Sequence, residues 1–440
     1  MILPSSFKLD QVAECCIGLT SLGAAHYHSL RTKTPIHKVQ VSRLASSLQF
    51  KPERLYTIDG KPPFLAKYFG GLHRTANGYV RIHDLFKRHR DGVCAILGLP
   101  PGASSTEVAA KCVEWKSEEL EQAAFDDNAV ISMLRSYQDW DASPQGQAVP
   151  DFPISIRSLG SHTAMQDHNQ GGFSQCCLEG LQVIELSRVI AAPVAGRALA
   201  AHGAGVTWVS SPNLEDVPVL DRLLTLGKRK IQLDLDNAAD VEKLKGLIAE
   251  ADVFIQGYRP SSLAKRGLSP EELLKINPRL VYASLSAYPQ QVIDNVENPW
   301  RLNRGFDTIV QTCTGMNVSE SQHFDPASKT PALPMPCQAL DHASGYFLAT
   351  GILAALCKQL ETDEVYLVEV SLATTAKYIR SLGQLEGRTG WKGDGDVNSQ
   401  SELLSKYGAL GEGLLEEQDI QAGRIRYLRY AAQIEGMQIE

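Results

Sequence analysis

The stretch QALDHASGYFLATGILAAL, residues 338–356, sets one carboxylate, Asp341, beside His342 at the mouth of an otherwise apolar helix pattern. A carboxyl placed there can cap the helix by accepting amide protons of its first turn. It can equally be a reacting group that the helix exists to present. The residues alone leave both readings open. A second set with chemical promise is cationic: Arg188, Lys228-Arg229-Lys230, Arg259, Lys265-Arg266 and Arg304. Singly, each suits a solvated surface. Gathered at the strand ends of one sheet, they suit an anionic ligand carrying phosphates, held by charge-assisted hydrogen bonds. Other chemistries lack their residues. The first strand-to-helix loop, SRVIAAPVAG, has no G-x-G-x-x-G fingerprint, so NAD is not expected there. A G-x-S-x-G elbow and a phosphate-cradling P-loop are missing as well. The nine cysteines show no C-x-x-C or Cys/His ligand spacing, so no metal site is expected.

The elements that must position these groups are legible in the second half. LQVIELS (181–187), GVTWVS (205–210), KIQLDLD (230–236), DVFIQGY (252–258) and RLVYASLS (279–286) read as strands. APVAGRALAAHG (192–203) reads as a helix, and AADVEKLKGLIAEA (238–251) has the 3.6-residue spacing of an amphipathic one. SPEELLKIN (269–277) opens with Ser269, Pro270 at the first helical position and Glu272 three residues after the cap, which predicts a capping box. Strands alternating with helices predict a doubly wound parallel sheet, whose ligands sit at the strands' carboxyl ends. That directs attention to SRVIAAP, QGYRP and LSAYP. The first half is a small α+β pattern: a strand in GYVRIHDLF (78–86), two short helices over 103–128, and AVISMLRSYQDWDASPQGQAV (129–149) as a helix running into a turn. SHTAMQDHNQGGFSQ (161–175), with Gly171-Gly172, reads as a linker.

The chain of 440 residues is too long for one ordinary core and predicts at least two domains. A net charge of -7 gives no electrostatic footprint for nucleic acid or an anionic membrane. No apolar run is expected to reach the roughly 20 residues of a membrane helix. The start, MILPSSFKLDQ, lacks a signal peptide's apolar region, and an odd cysteine count fits reduced thiols, so a cytoplasmic location is expected.

Taken in order, LEGLQVIELSRVIAAPVAGRALAAHGAGV (178–206), LGKRKIQLDL (226–235), ADVFIQGYRPSSLAKRGLSPEELLKINPRLVYASLSAY (251–288), RGFDTIVQTCTG (304–315) and ALDHASGYFLATGILAAL (339–356) resemble the family III CoA-transferases, which include formyl-CoA:oxalate and carnitine CoA-transferases. The resemblance implies a Rossmann-like CoA-binding sheet with a smaller α+β domain and an interlocked homodimer. It implies acyl-CoA and a carboxylic acid as substrates, with coenzyme A carried between them and no metal. It makes Asp341 the nucleophile of covalent acyl transfer, with backbone N–H groups near Gly345 or in a glycine-rich loop holding the oxyanion. It places Arg188, Val189, Ala191, Leu233, Gly257, Tyr258, Lys265, Arg266 and Arg304 at the CoA site. Where the family often has Asn-Phe, this chain has Gly257-Tyr258. The family's α-methylacyl-CoA racemases need a histidine where this chain has Phe306, so an acyl-CoA racemase or isomerase is the second reading. A non-catalytic CoA-fold binding protein is the third.

The order of parts is permuted relative to that family. LDQVAECCIGLTSLGAA (9–25) can be laid on LDHASGYFLATGILAA (340–355), with Asp10 on Asp341, and VQVSRLASSL (39–48) on VEVSLATTAKY (368–378). The expected division is 1–59, a helix and strand completing the large domain as a repeat of 340–380; 60–160, the small α+β domain; 161–177, a linker; 178–390, the Rossmann-like CoA-binding domain; and 391–440, a C-terminal extension. Gly70-Gly71 and GRTGWKGDGD (387–396) are the two candidates for a glycine-rich lid.

Overall fold

A computed structural model describes all residues except 65, 128, 162–174, 293–294, 328, 394–395 and 440. Most of the expected linker therefore lies outside the described residues, as do 394–395 of the second lid candidate.

The large sheet has seven strands: β1 (Ile154–Ser161), β2 (Gln182–Leu186), β3 (Gly205–Ser210), β4 (Lys228–Gln232), β5 (Val253–Gln256), β6 (Val281–Ser286) and β7 (Glu364–Ser371). Their order is β1-β7-β6-β5-β2-β3-β4. All neighbours are parallel except β1, which runs antiparallel along β7 and closes that edge. From β2 the chain winds out through β3 to β4, then returns to the other side of β2 for β5, β6 and β7. The winding reverses between β2 and β5, which opens a crevice at their carboxyl ends. The central strands are buried on both faces, and this explains their near-continuous apolar runs. The one charge inside them, Glu185, is fully buried and meets Lys228 Nζ at 2.8 Å.

Four helices matter for the site: α1 (Leu9–Thr32), α2 (Ala191–Ala201), α3 (Asp307–Cys313) and α4 (Ala339–Glu361). The last is 23 residues long and apolar enough to span a membrane by length and composition, contrary to the expectation from sequence. Its apolarity has another cause here, since 89% of its most apolar window is buried inside the molecule. It packs between α1, α2 and the β6–β7 side of the sheet. Thr20 Oγ1 of α1 donates to Tyr346 O at 3.1 Å, and a Cβ on Gly345 would lie 2.4 Å from Ala191 O of α2. Only glycine allows α2 and α4 to approach so closely.

The two repeated segments fold alike locally and differently in context. Val39–Val41 is a strand, and Ser42 caps the helix Arg43–Leu48 by accepting from Ala45 N. β7 likewise ends on Ser371, which accepts from Thr374 N and caps Leu372–Ser381. The short copy, however, pairs with Ala432–Ile434 in a ribbon of its own and does not join the large sheet. Within the 1–59 segment, α1 packs along α4, and Gln49 and Phe50 reach it as well, Gln49 Oε1 accepting from Tyr346 OH at 3.0 Å. The C-terminal strands Leu415–Ile420 and Gly423–Leu428 pair onward with Thr57–Ile58.

The small unit is a three-stranded antiparallel sheet (Gly71–Arg74, Tyr79–Ile82, Ile131–Met133) with helices Lys87–Ile96, Ser105–Cys112 and Ser117–Asp126 around a core that includes Val80, Val93, Val108 and Leu120. Residues 129–149 correct the reading of one helix. Ile131–Met133 is a strand, and the helix begins only at Tyr137, where Ser136 and Asp139 form a capping box. A short apolar run such as AVISM cannot be assigned by periodicity alone. At Ser269 only half the expected box forms: its side chain accepts from Glu272 N, while the Glu272 carboxylate turns to Lys275.

Candidate active site

A cavity of about 400 Å³ opens at the carboxyl ends of the strands, over the β2–β5 switch point. The loop after β2 supplies Arg188, Val189 and Ala191; the loops after β4 and β5 supply Leu233, Gly257, Tyr258 and Arg266; and Arg304 and Asp341 close it from beyond β6. Nine of the ten residues singled out in the sequence thus share one cavity. Lys265 does not. It follows the short helix Pro260–Ala264 and points to solvent, whereas Ser262, Leu263 and Arg266 line the cavity, as the roughly 100° step per residue dictates. Among the described residues, neither lid candidate lines the cavity: Gly71 opens a strand of the small sheet, and Gly390 packs under the N-terminal segment against Ser5 O.

The backbone around the switch point is tightly built. Val189 has φ +69°, a conformation that a β-branched residue adopts only under constraint. A Cβ on Gly257 would come 2.9 Å from Ala192 Cβ and 3.3 Å from Ser187 Cβ. The departure from Asn at this place is therefore a packing requirement of this chain.

The cationic rim is denser than the sequence indicated, because the small unit adds Arg88. Burial holds the Arg88 guanidinium below the ordinary range, and its neighbours Arg188 and Arg259 depress it further. Arg304 is pushed down to about 10, by burial first and then by Arg259 and Arg88. Among the described residues, Arg88, Arg188 and Arg259 have no carboxylate at ion-pair distance. Arg188 instead donates to Glu215 O and lies over the Phe86 ring at 4.3 Å. Clustered cations without carboxylate partners are arranged for an incoming anion.

At the other end sits Asp341, 6% exposed, in the first turn of α4. It is not the cap of that helix. Asp307, the first residue of α3, accepts Leu340 N at 2.7 Å and Asp341 N at 3.0 Å through Oδ2, and Gln311 Nε2 donates to its Oδ1. One carboxylate thus faces the positive ends of two helices. The Asp341 carboxyl is left without a hydrogen bond among the described residues, facing the cavity. Burial, then Asp307, then Glu53 raise its pKa well above the carboxylate range. Asp307 rises to about 6 through burial, opposed by the bonds it accepts. His342 turns away from the cavity, stacks on Phe50 and comes within 3.5 Å of Glu53 Oε2. Gly345 lies inside the helix with its Cα against Ala191 O, so it offers no free oxyanion donor.

Sequence reasoning missed Asp307 as the cap, because a cap 34 residues away leaves no local signature. It also missed Phe86, Arg88 and His89, which reach the cavity from the small unit. Phe306 stacks on His83 at 3.8 Å.

Residues 178–397 match the family model of CoA-transferase family III. Acetyl-coenzyme A transferase nodX of Hypoxylon pulicicidum is 30% identical over 217 residues, which are 48% of this chain and 35% of that protein. Succinyl-CoA:glutarate CoA-transferase of Mus musculus is 27% identical over 255 residues, 53% of this chain and 55% of that one. A CaiB/BaiF family protein from Brucella suis, of solved structure, is 25% identical with a TM-score of 0.41, covering 47% of this chain and 56% of that chain. The chain spans about half or less of the length of the first curated relatives it matches.

Proposed function

The chain belongs to CoA-transferase family III, and we propose that it moves coenzyme A from an acyl-CoA to a carboxylic acid through a covalent intermediate on Asp341. The observation that carries this is the freed carboxyl: Asp307 caps α4, and Asp341 is left buried, without a hydrogen bond among the described residues and facing a cavity rimmed by arginines. Arg88, Arg188, Arg259 and Arg304 suit the coenzyme's phosphates. The β5 loop at Gly257 and Tyr258 suits the pantetheine arm, where a side chain at 257 would not fit.

The Asp341 carboxylate attacks the thioester carbonyl, and collapse expels CoA thiolate and leaves a mixed anhydride. The thiolate attacks the aspartyl carbonyl, releasing the donor acid and forming an aspartyl-CoA thioester. The acceptor carboxylate repeats the sequence in reverse, and Asp341 returns as carboxylate. Thioester energy is retained only if water is kept from these carbonyls, which suits a carboxyl that is 6% exposed. Its high pKa carries a cost, since only the ionised form attacks. A homodimer and a cytoplasmic location belong to the same proposal.

The test is to incubate the protein with acetyl-CoA or succinyl-CoA, quench with hydroxylamine and map the adduct by mass spectrometry. A hydroxamate on the Asp341 peptide is expected. Exchange of the acyl α-proton with deuterium and no adduct would replace transfer by isomerisation, and neither would reduce the chain to a binding protein.

A further inference from the structure

Resting on the transferase reading, we infer that His89 is a second catalytic residue, its imidazole N–H donating to the thioester carbonyl oxygen as Asp341 attacks. His89 is 1% exposed and lines the cavity, yet neither ring nitrogen has a hydrogen-bond partner among the described residues. A buried imidazole left unsatisfied costs about 1–3 kcal/mol, so its retention calls for a ligand to complete it.

The position along the cavity narrows which ligand atom that is. His89 is the third residue of the helix Lys87–Ile96 and packs edge-on against Phe306 at 5.8 Å and Phe86 at 5.3 Å. Phe306 immediately precedes Asp307, whose carboxylate accepts the Asp341 amide at 3.0 Å. Phe306 thus links the imidazole to the residue that bonds the Asp341 amide, in the same cavity that Arg88, Arg188 and Arg304 line. Of the acceptor oxygens in an acyl-CoA, the one brought to Asp341 is the thioester carbonyl.

The surroundings also fix its protonation. The titratable groups around the ring are His83, Arg88, Arg188 and Arg304, with the amino end of its own helix beneath. All disfavour a second proton, and burial with these neighbours lowers the His89 pKa to about 3. The ring is neutral at physiological pH, so it is a fixed donor and not a proton carrier. As the Asp341 oxygen bonds to the carbonyl carbon, the C=O electron pair moves onto oxygen, and the N–H faces the charge that develops there. When the carbonyl re-forms, the C–S bond breaks and CoA leaves as thiolate.

The test compares H89F, which keeps aromatic packing without the donor, with H89Q, which keeps a donor. Single-turnover acylation of Asp341 by acetyl-CoA and the calorimetric Kd for CoA are measured for both. H89F is expected to acylate about 10²–10³-fold slower, the usual loss for one oxyanion donor, with CoA affinity held within about threefold, and H89Q to recover at least about tenfold of the loss. Wild-type acylation in H89F, a matching loss of CoA affinity, or no recovery in H89Q would overturn the inference. Should the wild-type protein form no adduct, the transferase reading fails by itself. The ring ¹⁵N spectrum of His89 then decides: a shift with acetyl-CoA that CoA does not produce upholds the contact, and an unmoved spectrum refutes it.

Discussion

One carboxyl's freedom rests on another's occupation. Asp307 takes the helix amides, so Asp341 is buried without compensation. A carboxyl with a raised native pKa makes the folded state hold more protons than the unfolded chain above the usual carboxylate range. Stability therefore falls as pH climbs from about 4 through the raised value. D341N removes that penalty. It should abolish adduct formation and raise Tm, with a gain that is small near pH 4 and larger at pH 8, as calorimetric melts would show. D307N removes the like charge beside Asp341 while an amide oxygen can still accept the helix N–H groups. The acid limb of the acylation rate should then move to lower pH, at a stability cost of about 1–2 kcal/mol for the lost charged bonds. The sequence presented Asp341 and left its role open, because the residue that caps the helix in its place lies far away along the chain.

At the scale of elements, the sheet was legible because parallel strands buried on both faces spell themselves out in Val, Ile and Leu. The 129–149 segment was not, because a three-residue strand is too short for a period to show. Helix α4 was recognised, but its length and apolarity reflect enclosure by three neighbours. The α2–α4 contact hinges on Gly345. In G345A the added methyl would meet Ala191 O and Val194 Cβ inside 3 Å, forcing the helices apart. A loss of about 1–3 kcal/mol is expected in denaturant melts, together with weaker CoA binding, since α2 begins in the loop that lines the cavity.

For the whole molecule, the large domain's strand ends carry most of the cavity, but Phe86, Arg88 and His89 of the small unit complete it. The two parts are far apart in sequence, which is why only the large domain's share could be read beforehand. R88A should weaken CoA binding by about tenfold, in keeping with one charge-assisted phosphate contact of about 1.5 kcal/mol, and should flatten the salt dependence of Kd. K265A, at a side chain that points to solvent, should leave Kd within about twofold by calorimetry.

The N-terminal helix copies the presenting helix down to its aspartate, but Asp10 accepts Ile2 N and Leu3 N, both at 3.0 Å, and so tethers its own leading strand of chain. The likeness of the two segments therefore extends to helix and strand but not to a free carboxyl. Saturating labelling should add a single acyl equivalent per polypeptide, and peptides spanning residues 9–25 should keep their unmodified mass.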